Sequence, residues 1–157
     1  MTAPIKVAVL CGSASDNEFV KACTDQLEAF GIPHEAHVLS AHRQGEALHA
    51  FMADAEERGC QVYIAMAGMA AHLPGVVASI TPRPVLGVPL KGGVMDGLDA
   101  LLSVVQMPKG VPVGTLAVGK AGARNAAILA AQILAVADEE MAGKIRQLKA
   151  DMAAGKV

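Results

Sequence analysis

Two of the five histidines, His42 and His72, stand in surroundings that suit chemistry. His42 lies in Ser40-Ala41-His42-Arg43, where a guanidinium that can grip an oxyanion adjoins an imidazole that can move a proton near neutral pH. The plainer alternative is an exposed histidine beside an arginine. His72 lies in Gly68-Met69-Ala70-Ala71-His72-Leu73-Pro74, a stretch without charge, where the alternative is a half-buried, hydrogen-bonded histidine. A third stretch, Gly12-Ser13-Ala14-Ser15-Asp16, offers a permissive glycine, two hydroxyls and a helix start, a combination that suits phosphate. A capped turn is the competing reading, because Ser15-Asp16-Asn17-Glu18 has the form of a capping box. Neither GxxxxGK[ST] nor a GxGxxG after the first strand occurs, so a smaller phosphate ester fits better than a nucleoside triphosphate or a dinucleotide. His34, His37 and His49 read as surface or packing residues, and Cys11 as a small buried residue rather than a nucleophile. No HxH, HExxH or Cys/carboxylate cluster completes a first shell around the two histidines, so no metal is expected.

Rigid elements must bring these residues together, and the hydrophobic pattern alternates between strand and helix. Ile5 to Leu10 is too apolar for a one-sided strand and reads as a central parallel one. Phe19, Cys23, Leu27 and Phe30 then recur at helical spacing until Gly31 and Pro33 stop the helix. A weaker strand at Ala36 to Leu39 leads into the SAHR motif, and Ala47, Leu48, Phe51, Met52 and Ala55 mark a second helix closing at Gly59. Val62 to Ala67 is a third strand, followed by a short helix whose Pro74 is tolerable only in the first turn. Val85 to Val88 and Gly114 to Val118 supply the fourth and fifth strands. Between them, Asp96 to Val105 sets Leu98, Leu101, Leu102 and Val105 on one helical face. Asn125 to Ala137 is helical and apolar nearly all round, so it needs cover from its own domain or from another subunit. From Glu139 onward, Met141, Ile145, Leu148 and Met152 form a narrow stripe on a charged helix, expected to pack across a subunit boundary. The alternation predicts one domain over residues 1–157, a three-layer α/β/α sandwich around a mostly parallel five-stranded sheet. Ligands in that architecture bind beyond the carboxyl ends of the strands, after Leu10, Leu39, Ala67, Val88 and Val118.

Composition sets the outer limits. The 157 residues are 53% hydrophobic but only 3% aromatic, so the core is built from small side chains that leave apolar surface seeking cover, a sign of oligomerisation. A net charge of -2 with scattered Lys and Arg gives no footprint for nucleic acid. Three cysteines without a CxxC pair and no secretory leader point to the cytoplasm. Residues 59 to 82 carry no Asp, Glu, Lys or Arg and are long enough to cross a bilayer, but Pro74-Gly75, His72 and Gly68 break the run into a strand and a helix. No membrane span is expected.

Taken together, GSASD at 12–16, SAHR at 40–43, AAHLPG at 70–75 and VVQMPKGVPVGTLAVGKAGARNAAILAAQIL at 104–134 resemble the PurE family of purine biosynthesis, in order and at strand ends, over residues 5 to about 140. The resemblance implies a flavodoxin-like fold and a small ribonucleotide substrate. Bacterial members are N5-carboxyaminoimidazole ribonucleotide mutases, whereas some relatives are aminoimidazole ribonucleotide carboxylases that use free carbon dioxide. It implies that Ser13 and Arg43 contact the phosphate, that Asp16 holds the ribose hydroxyls, and that Ser40, Ala70, Leu73 and the backbone near Gly12 and Gly68 complete the pocket. His42 matches the proton-transfer residue, and His72 a second pocket histidine that orients the carboxylate or carbon dioxide. The arginine in SAHR and the intact AAHLPG match the mutase branch. The resemblance further implies no cofactor, a homo-octamer with sites at subunit boundaries, and a separate ATP-dependent synthetase that makes the N-carboxylated substrate. The sequence departs from the family pattern in two places: Met69 replaces a usual glycine, and Gln44-Gly45-Glu46 replaces Thr-Pro-Asp and its helix-starting proline. The alternatives left open are the carboxylase and a flavodoxin-like module that holds a phosphorylated ligand without chemistry.

Overall fold

In the computed structural model, which describes residues 3–156, five strands pair in parallel in the order β2-β1-β3-β4-β5. They are β1 (Val7–Cys11), β2 (His34–Val38), β3 (Val62–Ala67), β4 (Val85–Pro89) and β5 (Gly114–Thr115). Every residue of β1, β3 and β4 is buried, because helices cover both faces of the sheet. β2 begins two residues before the expected Ala36. It pairs only with β1, and an edge strand tolerates the polar His34, Glu35 and His37. β5 is cut to two residues on the other edge, so the expected strand to Val118 ends early.

The helices are α1 (Asn17–Phe30), α2 (Gly45–Glu57), α3 (Leu73–Ile80), α4 (Leu98–Val105), α5 (Lys120–Ala135) and α6 (Glu139–Ala153). Alternating strand residues divide the core. Val7, Val9, Cys11, Ile64, Met66 and Val88 meet α1, α5 and α6, whereas Ala8, Leu10, Tyr63 and Ala65 meet α2, α3 and α4. Leu27, Leu48 and Ile64, all fully buried, each stabilise the fold by about 1.5–3 kcal/mol through lost contact with water. The three-layer parallel sandwich inferred from the alternation is therefore the observed fold, with the 2-1-3-4-5 order of flavodoxin-like sheets. No helix among the described residues is long and apolar enough to cross a membrane; residues 59 to 82 divide between β3 and α3.

Three local expectations change. The cap before α1 is Ser13, not Ser15: the Ser13 hydroxyl accepts from Ser15 N–H at 3.3 Å, and the Asp16 carboxylate accepts from Ser13 N–H at 3.1 Å. A 3-10 turn, Ala14–Asp16, therefore precedes the helix. α5 starts at Lys120, five residues before Asn125, and lays Ala123, Ala126, Ala127, Ala130 and Ala131 on the core while Ile133 and Leu134 stay half-buried. The apolar stripe of α6 is as expected, with Met141, Ile145 and Leu148 packing against α5, and the Lys144 ammonium donates to Phe30 O at 2.9 Å.

The third change is in α4, which turns the small residues Ala100 and Val104 inward and leaves Leu98, Leu102 and Val105 exposed, the reverse of the expected face. Gly87 explains the inversion, since a Cβ there would lie 2.5 Å from Val104 Cγ1 and 2.7 Å from Val113 Cγ1. The helix seats Val104 in the notch that Gly87 leaves in β4.

Candidate functional site

The carboxyl ends of β1, β2, β3 and β4 open onto one cleft of about 620 Å³. It contains all ten residues singled out from sequence: Gly12, Ser13 and Asp16 after β1, Ser40, His42 and Arg43 after β2, and Gly68, Ala70, His72 and Leu73 after β3. His34, His37 and His49 lie elsewhere. His34 Nδ1 is 2.8 Å from Ile32 O, and His37 packs against Phe51 with ring centroids 4.2 Å apart and the rings tilted by 46°.

The first loop is ordered by the Ser13–Asp16 cap. Burial raises the Asp16 pKa above the ordinary carboxylate value, opposed by the Ser13 N–H and the Ser15 hydroxyl. Cys11 lies just beneath, donating its thiol to Ser13 O at 3.4 Å; burial and the nearby Asp16 charge push that thiol up to about 11. It stays protonated and unreactive at neutral pH, in keeping with a packing role.

The second loop is tied at both ends. Gln44 donates its backbone N–H to Ser40 O at 2.8 Å and accepts from Ser40 N–H through its side-chain oxygen at 3.1 Å. These bonds close the turn that begins α2, where the family's proline is missing. Arg43 donates from Nε to the Ser40 hydroxyl at 3.3 Å and from Nη2 to Gly12 O at 3.2 Å, linking the second loop to the first.

The third loop makes two tight turns, with Ala71 N–H donating to Met69 O at 2.9 Å and His72 N–H to Ala70 O at 2.7 Å. Met69 takes φ +56 there, a left-handed backbone that glycine adopts freely. His72 ends the loop at the cap position of α3, with Pro74 in the first turn as expected. Its Nδ1 lies 2.7 Å from His42 Nε2, and the rings stand edge to face at 83°. Such a contact needs one N–H between two nitrogens, so one ring donates while the other accepts.

Lys91 and Gly92, which follow Leu90 just beyond β4, also line the cleft and are not singled out by the sequence. The signal available was position alone, the first charged residue beyond a strand end. Ser15, the second hydroxyl of the first loop, lines the cleft as well. Among the described residues no three His, Cys, Asp or Glu side chains converge as metal ligands.

A parallel 2-1-3-4-5 sheet with hydroxyls, one carboxylate, a guanidinium and two imidazoles at its carboxyl edge defines a flavodoxin-like protein with a cleft for a small anionic molecule. A family model described as AIR carboxylase matches residues 6–155. The chain is 52% identical over 147 residues to an N5-carboxyaminoimidazole ribonucleotide mutase of Saccharolobus solfataricus, covering 94% of this chain and 92% of that protein. It is 53% identical over 138 residues to the mutase of Escherichia coli K12, covering 88% and 82%. The crystal structure of Treponema denticola PurE superposes with a TM-score of 0.87 at 27% identity, covering 95% of this chain and 92% of that one. The chain belongs to the AIR carboxylase family, as the PurE resemblance of its motifs implied.

Proposed function

We propose that this protein converts N5-carboxyaminoimidazole ribonucleotide to 4-carboxyaminoimidazole ribonucleotide in purine biosynthesis, the activity named for its mutase relatives. The observation that carries the reading is the 2.7 Å contact between His42 and His72, set in a cleft that also presents Ser13, Asp16 and Arg43. Ser13 and Arg43 receive the phosphate and Asp16 the ribose hydroxyls. Protonated His42 gives its proton to the carbamate nitrogen; the N–C bond breaks, carbon dioxide is freed, and an electron-rich ring remains. C4 then forms a bond to the captive carbon dioxide, and neutral His42 takes the C4 proton, restoring aromaticity. One N–C bond is exchanged for one C–C bond, and the imidazole ends as it began. His72 orients the carboxyl group. The uncharged stretch Gly68 to Ala71 walls the trap and excludes water. Holding gas and ring together makes recarboxylation effectively unimolecular, an advantage on the order of several kcal/mol.

The test follows isotope from a labelled N-carboxy group in the presence of unlabelled bicarbonate. Label retained in the product is expected, and complete exchange with the medium would move the assignment to the carboxylase. His42→Asn should lower turnover by about a hundredfold or more while ribonucleotide affinity changes little. Unchanged turnover removes the proton shuttle, and binding of the ribonucleotide without any turnover by the native protein favours a non-catalytic module.

The same reading includes a homo-octamer in the cytoplasm, supplied with substrate by a separate ATP-dependent synthetase. The outward Leu98, Leu102 and Val105 of α4 support self-association. A monomeric mass by light scattering would remove that part.

A further inference from the structure

The substrate of the proposed reaction carries two anions, a phosphate and a carboxylate, and the cleft presents two cations from different strand ends, Arg43 and Lys91. Arg43 spans the β2 and β1 ends, where it touches Ser40 and Gly12. The histidine pair joins the β2 and β3 loops. Lys91 follows β4, on the far side of that pair. With strands about 4.8 Å apart, the β1 and β4 ends are separated by about 10 Å. A ribonucleotide whose phosphate lies at Arg43 and whose ring lies at the imidazoles turns its ring substituents toward β4.

Lys91 is held there by its neighbours. Leu90 N–H donates to Ala67 O at 2.9 Å, so the β3–β4 ladder runs up to the residue before it. A Cβ on Gly68 would lie 3.6 Å from Lys91 O, which shows how closely the third loop rests on this strand end. The aliphatic stem of Lys91 lies along bare backbone at Gly119, whose φ is +81; a Cβ there would be 3.3 Å from Lys91 Cε and 3.7 Å from Cδ. The acids that follow are committed to backbone: Asp96 accepts from Gly92 N–H at 3.3 Å, and Asp99 from Val94 N–H at 3.0 Å and Ala100 N–H at 2.8 Å. Asp16 is committed to its cap. Among the described residues Lys6, Arg43, Arg83, Lys91, Lys109, Arg124 and Lys149 pair with no carboxylate, and of these only Arg43 and Lys91 line the cleft.

We propose that Lys91 recognises the migrating carboxylate, receiving it as it reaches ring carbon C4 while Arg43 keeps the phosphate. The assignment rests on the ribonucleotide reading of the cleft. It makes Lys91 a charge-assisted hydrogen-bond donor at the end of the cleft opposite the phosphate.

Calorimetric titration of the full chain and of Lys91→Met, which keeps most of the stem, with three compounds tests it. They are 4-carboxyaminoimidazole ribonucleotide, aminoimidazole ribonucleotide without the carboxylate, and the carboxylated riboside without the phosphate. Lys91→Met should weaken both carboxylated compounds about tenfold or more, leave aminoimidazole ribonucleotide within about twofold, and be largely rescued by Lys91→Arg. Equal weakening of the two ribonucleotides makes Lys91 a phosphate contact, and no change in any arm makes it a solvated lysine; either overturns the assignment. If the native chain binds none of the three, the ribonucleotide reading falls first and Lys91 with it.

Discussion

A methionine at φ +56 costs backbone energy that the fold does not recover by packing, because Met69 is 68% exposed. Left-handed geometry costs an ordinary residue about 1–2 kcal/mol, whereas glycine enters it freely but adds freedom to the unfolded chain. Met69→Gly should therefore raise stability by about 0.5–1 kcal/mol, read as a higher urea midpoint, and Met69→Ala, which keeps the Cβ, should show no such gain. Other residues at this scale differ in how far they could be read in advance. Ser13, His42 and Arg43 stood in short motifs whose donors and acceptors declare themselves. Ser15 misled because two capping patterns overlap, Ser13-x-x-Asp16 and Ser15-x-x-Glu18, and the reciprocal bond that selects the first is visible only in three dimensions. Lys91 was illegible because a lone lysine after a strand looks like any solvated one until its neighbours are placed.

Elements were legible where burial is two-sided. β1, β3 and β4 announce themselves as unbroken apolar runs, and Gly31 stops α1 in the left-handed conformation, with Ile32 N–H donating back to Leu27 O at 3.0 Å. The face of α4 was not, because periodicity says that a helix has an apolar stripe but not which sheet residue admits it. Gly87 decides, from eleven or more residues away in sequence. Gly87→Ala would drive a methyl against Val104, Val113 and Pro74 at once, and overpacking of this kind costs about 1–3 kcal/mol. Thermal unfolding should fall by roughly 2–4 °C per kcal/mol. Adding Val104→Ala should recover part of the loss, and a cycle in which the two changes are simply additive would show that the notch does not hold α4.

At the scale of the whole molecule, the strand ends opposite the cleft are held by charge. Arg58, at the end of α2, grips Glu35 of the edge strand at 2.6 and 2.8 Å, Asp54 at 2.7 Å and Ala3 O at 3.1 Å. The guanidinium pulls the Glu35 pKa down from 4.5 to about 2. A carboxylate lowered on folding adds stability above its unfolded pKa and loses it as pH falls through the folded one. The loss should therefore fall between about pH 4.5 and pH 2. Because Glu35 is a third exposed, solvent screening reduces the contribution to about 1 kcal/mol. Glu35→Gln should melt below the native chain at pH 7 and meet it near pH 2; parallel curves would exclude the linkage. At the opposite pole, the turn over residues 40–44 is stapled by one carboxamide at Gln44 and bolted to the first loop by Arg43. The backbone under the imidazole is therefore pinned on both sides, while the ring itself is set by His72 from the neighbouring loop. Losing the guanidinium would loosen the footing of the ring next to it as well as remove a cation.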